Sequence, residues 1–164
     1  MSALPEFIIT RQFNAPIDRV WQAWTDPKLI ARWFGPKGCE CAILKQELVA
    51  GGVQHSRIQM PGAPAMYGRF VYREIVPGSR LVWEHSFSDE TGENLARHPF
   101  SPTWPLQLLT TVNFTEKDGG TEIHLSWVPL NANPVEIETF RAALDGMEQG
   151  WGGSFDQLEE FLKA

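Results

Sequence analysis

Hydrophobic and polar positions alternate along most of the middle of this chain. Leu106, Leu108, Thr110, Val112 and Phe114 recur at every second position, and Thr121, Ile123, Leu125 and Trp127 do so again. Side chains two apart on a strand share a face, so each row predicts a strand with one buried side. Leu81, Trp83, His85 and Phe87 form a third such row. Asp118-Gly119-Gly120 separates the first two rows and is a tight-hairpin signal, because glycine accepts positive φ. Gly51-Gly52, Pro61-Gly62-Ala63-Pro64 and Pro77-Gly78 punctuate the rest. Strands are therefore expected over 40–45, 52–60, 66–76, 79–88, 106–116 and 121–128, joined as antiparallel neighbours.

The two ends follow a different period. After a β-rich opening, Phe7–Phe13, the sequence Asn14-Ala15-Pro16 ends the strand and opens a helix. Ile17, Val20, Trp21 and Trp24 then fall on one helical stripe. Asp26-Pro27 repeats the start signal for a short second helix to about Phe34, with Leu29, Ile30, Trp33 and Phe34 apolar. Gly35-Pro36-Lys37-Gly38 stops it. The tail from Pro134 to Leu162 reads as one long helix, capped by Asn133 with Pro134 at its first position and Glu136 completing a near capping box. Phe140, Leu144, Met147 and Trp151 make its apolar stripe, extended by Leu158, Phe161 and Leu162. Gly146, Gly150, Gly152 and Gly153 each cost such a helix roughly 1 kcal/mol relative to alanine. With Ser154 and Gln157 able to cap a new start, a kink or restart is expected near Gly153. Either close approach to the sheet or room for a ligand must offset the glycines.

The order β-α-α-β6-α is an α+β arrangement: a curved antiparallel sheet of about seven strands covered by a long C-terminal helix. A bent sheet gripping one helix leaves its open end incompletely closed, and a pocket is expected there. Residues 89–105 interrupt the strand pattern with Pro99, Pro102 and Pro105 around Phe100 and Trp104. So long a connection is either a surface excursion with an aromatic anchor or a rim or lid.

Composition narrows the class. The 164 residues are 43% apolar and 21% charged, with 14 glycines and 12 prolines, and fit a single globular domain over 1–164. A chain this long buries roughly 70% of its unfolded surface and needs no metal or disulfide staple. The net charge of −6 argues against a nucleic-acid surface. Seven Trp and ten Phe make the aromatic content unusual. Only Cys39 and Cys41 are present, too close in an extended segment for an easy disulfide. No apolar run reaches the ~20 residues of a membrane span, and no leader is visible, so a cytoplasmic location is expected.

No nucleophile elbow, zinc-protease, P-loop or dinucleotide motif is present. His55, His85, His98 and His124 are scattered, and two cysteines are half of a structural zinc set, so neither metal nor cofactor is expected. His85 shares the Leu81/Trp83/Phe87 face. It reads either as a neutral imidazole offering one hydrogen bond to a ligand, or as one satisfied by a backbone carbonyl or water. Arg11 falls on the Phe7/Ile9/Phe13 face and would meet a ligand carboxylate, or pair with Glu40 or Glu74. His55 and His124 point outward and are expected in solvent. Trp21, Trp24 and Trp127 read as plain core.

The ordered series Phe13-Asn14-Ala15-Pro16, Val20-Trp21, Trp24-Thr25-Asp26-Pro27, Trp33-Phe34-Gly35-Pro36, Gly51-Gly52, Gly68 with Phe70, Asp118-Gly119-Gly120-Thr121 and Gly150-Trp151 resembles one family. This is the bacterial branch of proteins similar to the C-terminal domain of the activator of the heat-shock-protein-90 ATPase. The branch is part of the SRPBCC superfamily of helix-grip (START/Bet v 1-like) folds. The resemblance covers about residues 6–163. The acidic residue usual two before the Gly-Gly is replaced by Val49-Ala50, and 89–105 is longer than usual.

The resemblance implies the helix-grip fold and an internal cavity, with a small hydrophobic or aromatic molecule as ligand. From the sheet and the second helix, Trp33, Phe70, Tyr72, Trp83, His85 and Leu108 are expected to line it. From the long connection and the tail, Trp104, Phe140, Leu144, Met147 and Trp151 join them. Two alternatives stand beside this reading. One is an enzyme of cyclase or hydrolase type, with His85 as acid/base and Tyr72 or Arg11 stabilising negative charge. The other is a co-chaperone-like or regulator-associated interaction module with a chaperone partner. A homodimer is compatible with all three.

Overall fold

The computed structural model describes residues 4–35, 38–99 and 101–163. Pro36, Lys37 and Phe100, named above in a helix stop and a loop anchor, lie outside the described residues. The chain runs β1 (Phe7–Phe13), α1 (Ile17–Thr25), α2 (Pro27–Trp33), β2 (Glu40–Gln46), β3 (Val53–Gln59), β4 (Met66–Val76), β5 (Arg80–Ser88), β6 (Leu95–Ala96), β7 (Gln107–Lys117), β8 (Gly120–Leu130), α3 (Pro134–Ala142) and α4 (Leu144–Lys163). This is the expected α+β helix-grip architecture, with one short strand more than the alternation marks.

All strand pairs are antiparallel, in the order β1-β8-β7-β5-β4-β3-β2, with β6 added beside β5. The β7–β8 hairpin turns at Asp118 (φ 50) and Gly119 (φ 77), so both central residues take the left-handed conformation that fits strand twist. Register shifts at Ile43/Lys45 and Tyr72/Glu74 mark bulges, which bend the sheet. The alternating rows face inward: Leu81, Trp83, Leu108, Val112, Ile123 and Leu125 are all buried. Val20 and Trp24 from α1, Ile30 and Trp33 from α2, and Phe155, Leu158 and Leu162 from α4 close over them.

Helix starts follow local chemistry. Asp26 caps α2 by accepting from the Lys28 N–H, with Pro27 at the first position. Asn133 and Glu136 form a full capping box at α3. Pro16 stands at the N-cap of α1, one position before the expected place.

Three expectations are corrected. The tail breaks at Ala143, not near Gly153. The Ala143 N–H bonds to the Phe140 carbonyl over three residues, tightening the turn, and α4 then runs through all four glycines. Arg11 meets neither Glu40 nor Glu74: its guanidinium donates to Asp156 at 2.7 Å and lies over the Phe155 ring, tying β1 to α4. His55 points outward but is not in solvent, being 6% exposed. Its imidazole stacks on Tyr67, centroids 5.6 Å apart, and the backbone of Gly92 lies against it. The chain after β5 folds back over the outer sheet face in a turn held by the Asp89 carboxylate, which accepts from the Thr91 and Gly92 N–H groups. Those bonds, with Thr91 and Asn94 side chains first among them, hold the Asp89 pKa down at about 2.

Candidate functional site

α4 packs chiefly against β1 and α2 rather than against β3, β4 and β5. A hollow of about 300 Å³ remains. Strand alternation brings Ser56 and Ile58, Met66, Gly68 and Phe70, and His85 and Phe87 to its floor. Met147, Gly150, Trp151 and Ser154 of α4 form the roof at helical spacing. Phe34 and Gly35 after α2, Trp127 of β8 and His98 from the long connection close the sides.

Five of these rings touch in a closed circuit. Phe34 meets Phe70 at 5.8 Å between centroids, Phe70 meets His85 at 5.4 Å, and His85 meets Trp127 at 5.5 Å. Trp127 then meets Trp151 at 5.7 Å, and Trp151 returns to Phe34 at 6.0 Å. Tilted and edge-to-face contacts of this kind hold each ring in one orientation. Behind the circuit, Trp83 stacks on Phe70 at 4.6 Å. The roof is pinned by α4 itself: Ser154 Oγ and Gln157 Nε2 both donate to the Gly35 carbonyl, at 3.0 and 2.8 Å.

The site is short of charge. Among the described residues, no Asp, Glu, Lys or Arg lines the hollow. Burial among rings pushes the His85 imidazole down to about 4, so it is neutral at pH 7. Neither ring nitrogen of His85 bonds to a described residue, and neither is sealed away from accessible space. His98 sits at the rim with its ring against Phe87 (5.1 Å) and Trp104 (6.1 Å), and burial lowers its pKa also.

Of the residues expected at the site, Phe70, His85, Met147 and Trp151 line the hollow. The others sit behind it. Trp33 is fully buried, its Nε1 donating to the Ala23 carbonyl. Tyr72 donates its hydroxyl to Gln54 Oε1, and burial raises its pKa to about 12. Trp83 is the second layer under Phe70. Leu108 and Phe140 are buried core, and Leu144 packs against that core. Trp104 packs on Phe140 and Trp127, fixing the long connection to α3 and β8 rather than entering the hollow.

Phe34, Phe87 and His98 are among the lining residues that sequence reasoning did not assign, and Trp127, expected as plain core, lines the hollow instead. Parity already marked Phe87 and Trp127 as inward. It carries no information on depth, which curvature decides. His98 lies in a segment without periodicity and left no signal.

No set of three or more His, Cys, Asp or Glu side chains able to hold a metal occurs among the described residues. Cys39 and Cys41 are free thiols, and burial pushes Cys41 up to about 11. No described helix is long and apolar enough to cross a membrane. What the arrangement offers chemically is an uncharged, ring-walled hollow, partly open to solvent, whose polar side chains include the His85 and His98 imidazoles and the serine hydroxyls.

A family model described as Activator of Hsp90 ATPase homolog 1-like protein matches residues 14–163. Solved structures share the fold. A protein from Staphylococcus epidermidis, solved in solution, is 24% identical with a TM-score of 0.80, over 99% of this chain and 92% of that one. A protein from Arthrobacter aurescens gives 23%, 0.79, 96% and 86%, and protein Ms6760 from Mycobacterium smegmatis gives 21%, 0.77, 98% and 96%. No protein with a curated description matches the chain.

Proposed function

The chain belongs to the Activator of Hsp90 ATPase homolog 1-like family, and on that premise we propose that it binds a small hydrophobic or aromatic molecule between its sheet and α4. The fold of this family commonly binds hydrophobic ligands. The observation that carries the reading for this chain is the closed circuit of Phe34, Phe70, His85, Trp127 and Trp151 around an unfilled volume. Side chains in a well-packed core leave few voids larger than a water molecule. A ring-walled hollow of this size, partly open to solvent, exposes apolar surface that a guest would remove from water.

At about 300 Å³ the hollow stands at the small end of the range for ligand pockets. The guest is therefore compact, of one to three rings. Entry is on the side of Gly150, which is both exposed and part of the lining.

A thermal-shift panel of neutral one- to three-ring compounds tests the proposal. Binding to the folded state alone raises Tm as guest concentration exceeds Kd. Several members are expected to raise Tm in a saturable manner. A panel with no shift for any compound would overturn the reading.

A further inference from the structure

We infer that the guest is an uncharged aromatic molecule carrying one hydroxyl, and that His85 is the residue that selects it by hydrogen bonding to that oxygen. This rests on the hollow being a ligand site, and it adds the guest's charge and its polar group.

A polar side chain in the interior normally has a protein or water partner. The His85 imidazole has none among the described residues, although its nitrogens remain accessible and its ring is held by Phe70, Phe87 and Trp127. The rings around it offer carbon edges and faces, and the one ring N–H among them, Trp127 Nε1, already donates to Thr110 Oγ1. A neutral imidazole presents one N–H donor and one lone-pair acceptor. A hydroxyl on the guest can donate to that lone pair or accept from the N–H.

Charge is excluded by the same surroundings. A carboxylate guest would leave water for a wall with no Lys or Arg among the described lining residues, and with an imidazole that resists protonation. An ammonium guest would find no Asp or Glu there. An unpaired charge in such a place is costly, whereas a hydroxyl needs one partner and finds it. Three other lining residues carry hydroxyls: Ser154 Oγ already donates to the Gly35 carbonyl, Tyr67 has its ring stacked on His55 at the outer sheet face, and Ser56 Oγ, beside Gly68, is a second polar group that the response of His85→Phe separates from the imidazole.

Three probes of one ring size separate the possibilities: naphthalene, 2-naphthol and 2-naphthoate, each titrated into the protein and into His85→Phe. Phenylalanine keeps an aromatic ring in the circuit and removes the hydrogen bond. For the unaltered protein, 2-naphthol is expected to bind about five-fold tighter than naphthalene, and 2-naphthoate weakest of the three. In His85→Phe the order of naphthol and naphthalene reverses. The imidazole ¹⁵N shifts of His85 give a readout that needs no variant: they move with 2-naphthol and stay with naphthalene. Equal binding of naphthalene and 2-naphthol, with unmoved ¹⁵N shifts, would overturn the role of His85 and leave hydrophobic binding intact. Tightest binding by 2-naphthoate would overturn the selection for an uncharged guest. Binding of none of the three would overturn both this inference and the reading it rests on.

Discussion

His85 on β5 and Trp127 on β8 are in ring contact, centroids 5.5 Å apart, although β7 lies between their strands. In a flat sheet, strands two apart are separated by roughly 9–10 Å. The contact therefore spans Leu108 and Thr110 of β7, which lie buried beneath it. Curvature draws the two side chains together above the sheet, closes the aromatic circuit and leaves the hollow next to it.

That placement makes stability depend on pH. The folded-state pKa of His85 is lowered from 6.5 to about 4 by burial. Above pH 6.5 both folded and unfolded chains hold it neutral, and its contribution is fully present. As pH falls from 6.5 towards 4 the unfolded chain takes up the proton first, so stability drops through that window. A loss on the order of 2 kcal/mol is expected. Denaturant unfolding at pH 7 and pH 4.5, for the protein and for His85→Phe, checks it: the variant should lose less between the two pH values.

Gly150 is a helical glycine with nothing within 4 Å of an added Cβ. Close packing does not require it. Gly150→Ala is expected to stabilise the fold by about 0.5–1 kcal/mol through helix propensity and loss of unfolded-state freedom. An increase in the midpoint of urea unfolding with unchanged slope would establish this.

Gly92 behaves in the opposite way. Its φ is +76°, and an added Cβ would stand 2.8 Å from Cγ of the buried His55 ring. Gly92→Ala therefore combines backbone strain with a clash against a side chain wedged beside Tyr67. A loss of about 1–3 kcal/mol is expected, read as a fall in Tm.

The long connection before β7 is fastened at one point by an ion pair between Arg97 and the buried carboxylate of Glu136, which also completes the α3 capping box. The Asn133 N–H and the Arg97 guanidinium hold the Glu136 carboxyl below its usual pKa. Glu136→Gln weakens the charge-assisted bond while keeping the shape. Tm should fall by an amount corresponding to about 1 kcal/mol, and trypsin should cut after Arg97 faster than in the unaltered protein. Unchanged proteolysis would mean that Trp104 packing alone secures this segment.

Much of the fold was legible because its signals are local. The hairpin at Asp118-Gly119, the cap at Asn133 and the inward rows through Leu108 and Ile123 each need only a few neighbouring residues. Depth is not local. Trp127 and Trp83 have the same inward parity on their strands, yet one lines the hollow and the other lies beneath Phe70, because two bulges and the sheet twist set the curvature. The break at Ala143 was hidden because nothing in Arg141-Ala142-Ala143-Leu144 opposes a helix; the geometry of α3 against β8 and of α4 against β1 and α2 accompanies it. His55 was hidden because its cover, the 89–94 turn, comes from more than thirty residues away.

Acceptance of a neutral aromatic guest in the space under α4 is measured most directly by a fluorescence titration of N-phenyl-1-naphthylamine into the protein and into Gly150→Leu, which adds a large side chain in the open space at the lining position Gly150. Saturable enhancement with one guest per chain, abolished in a folded Gly150→Leu, is the predicted result. Equal enhancement in both proteins, or none in the unaltered one, would contradict it.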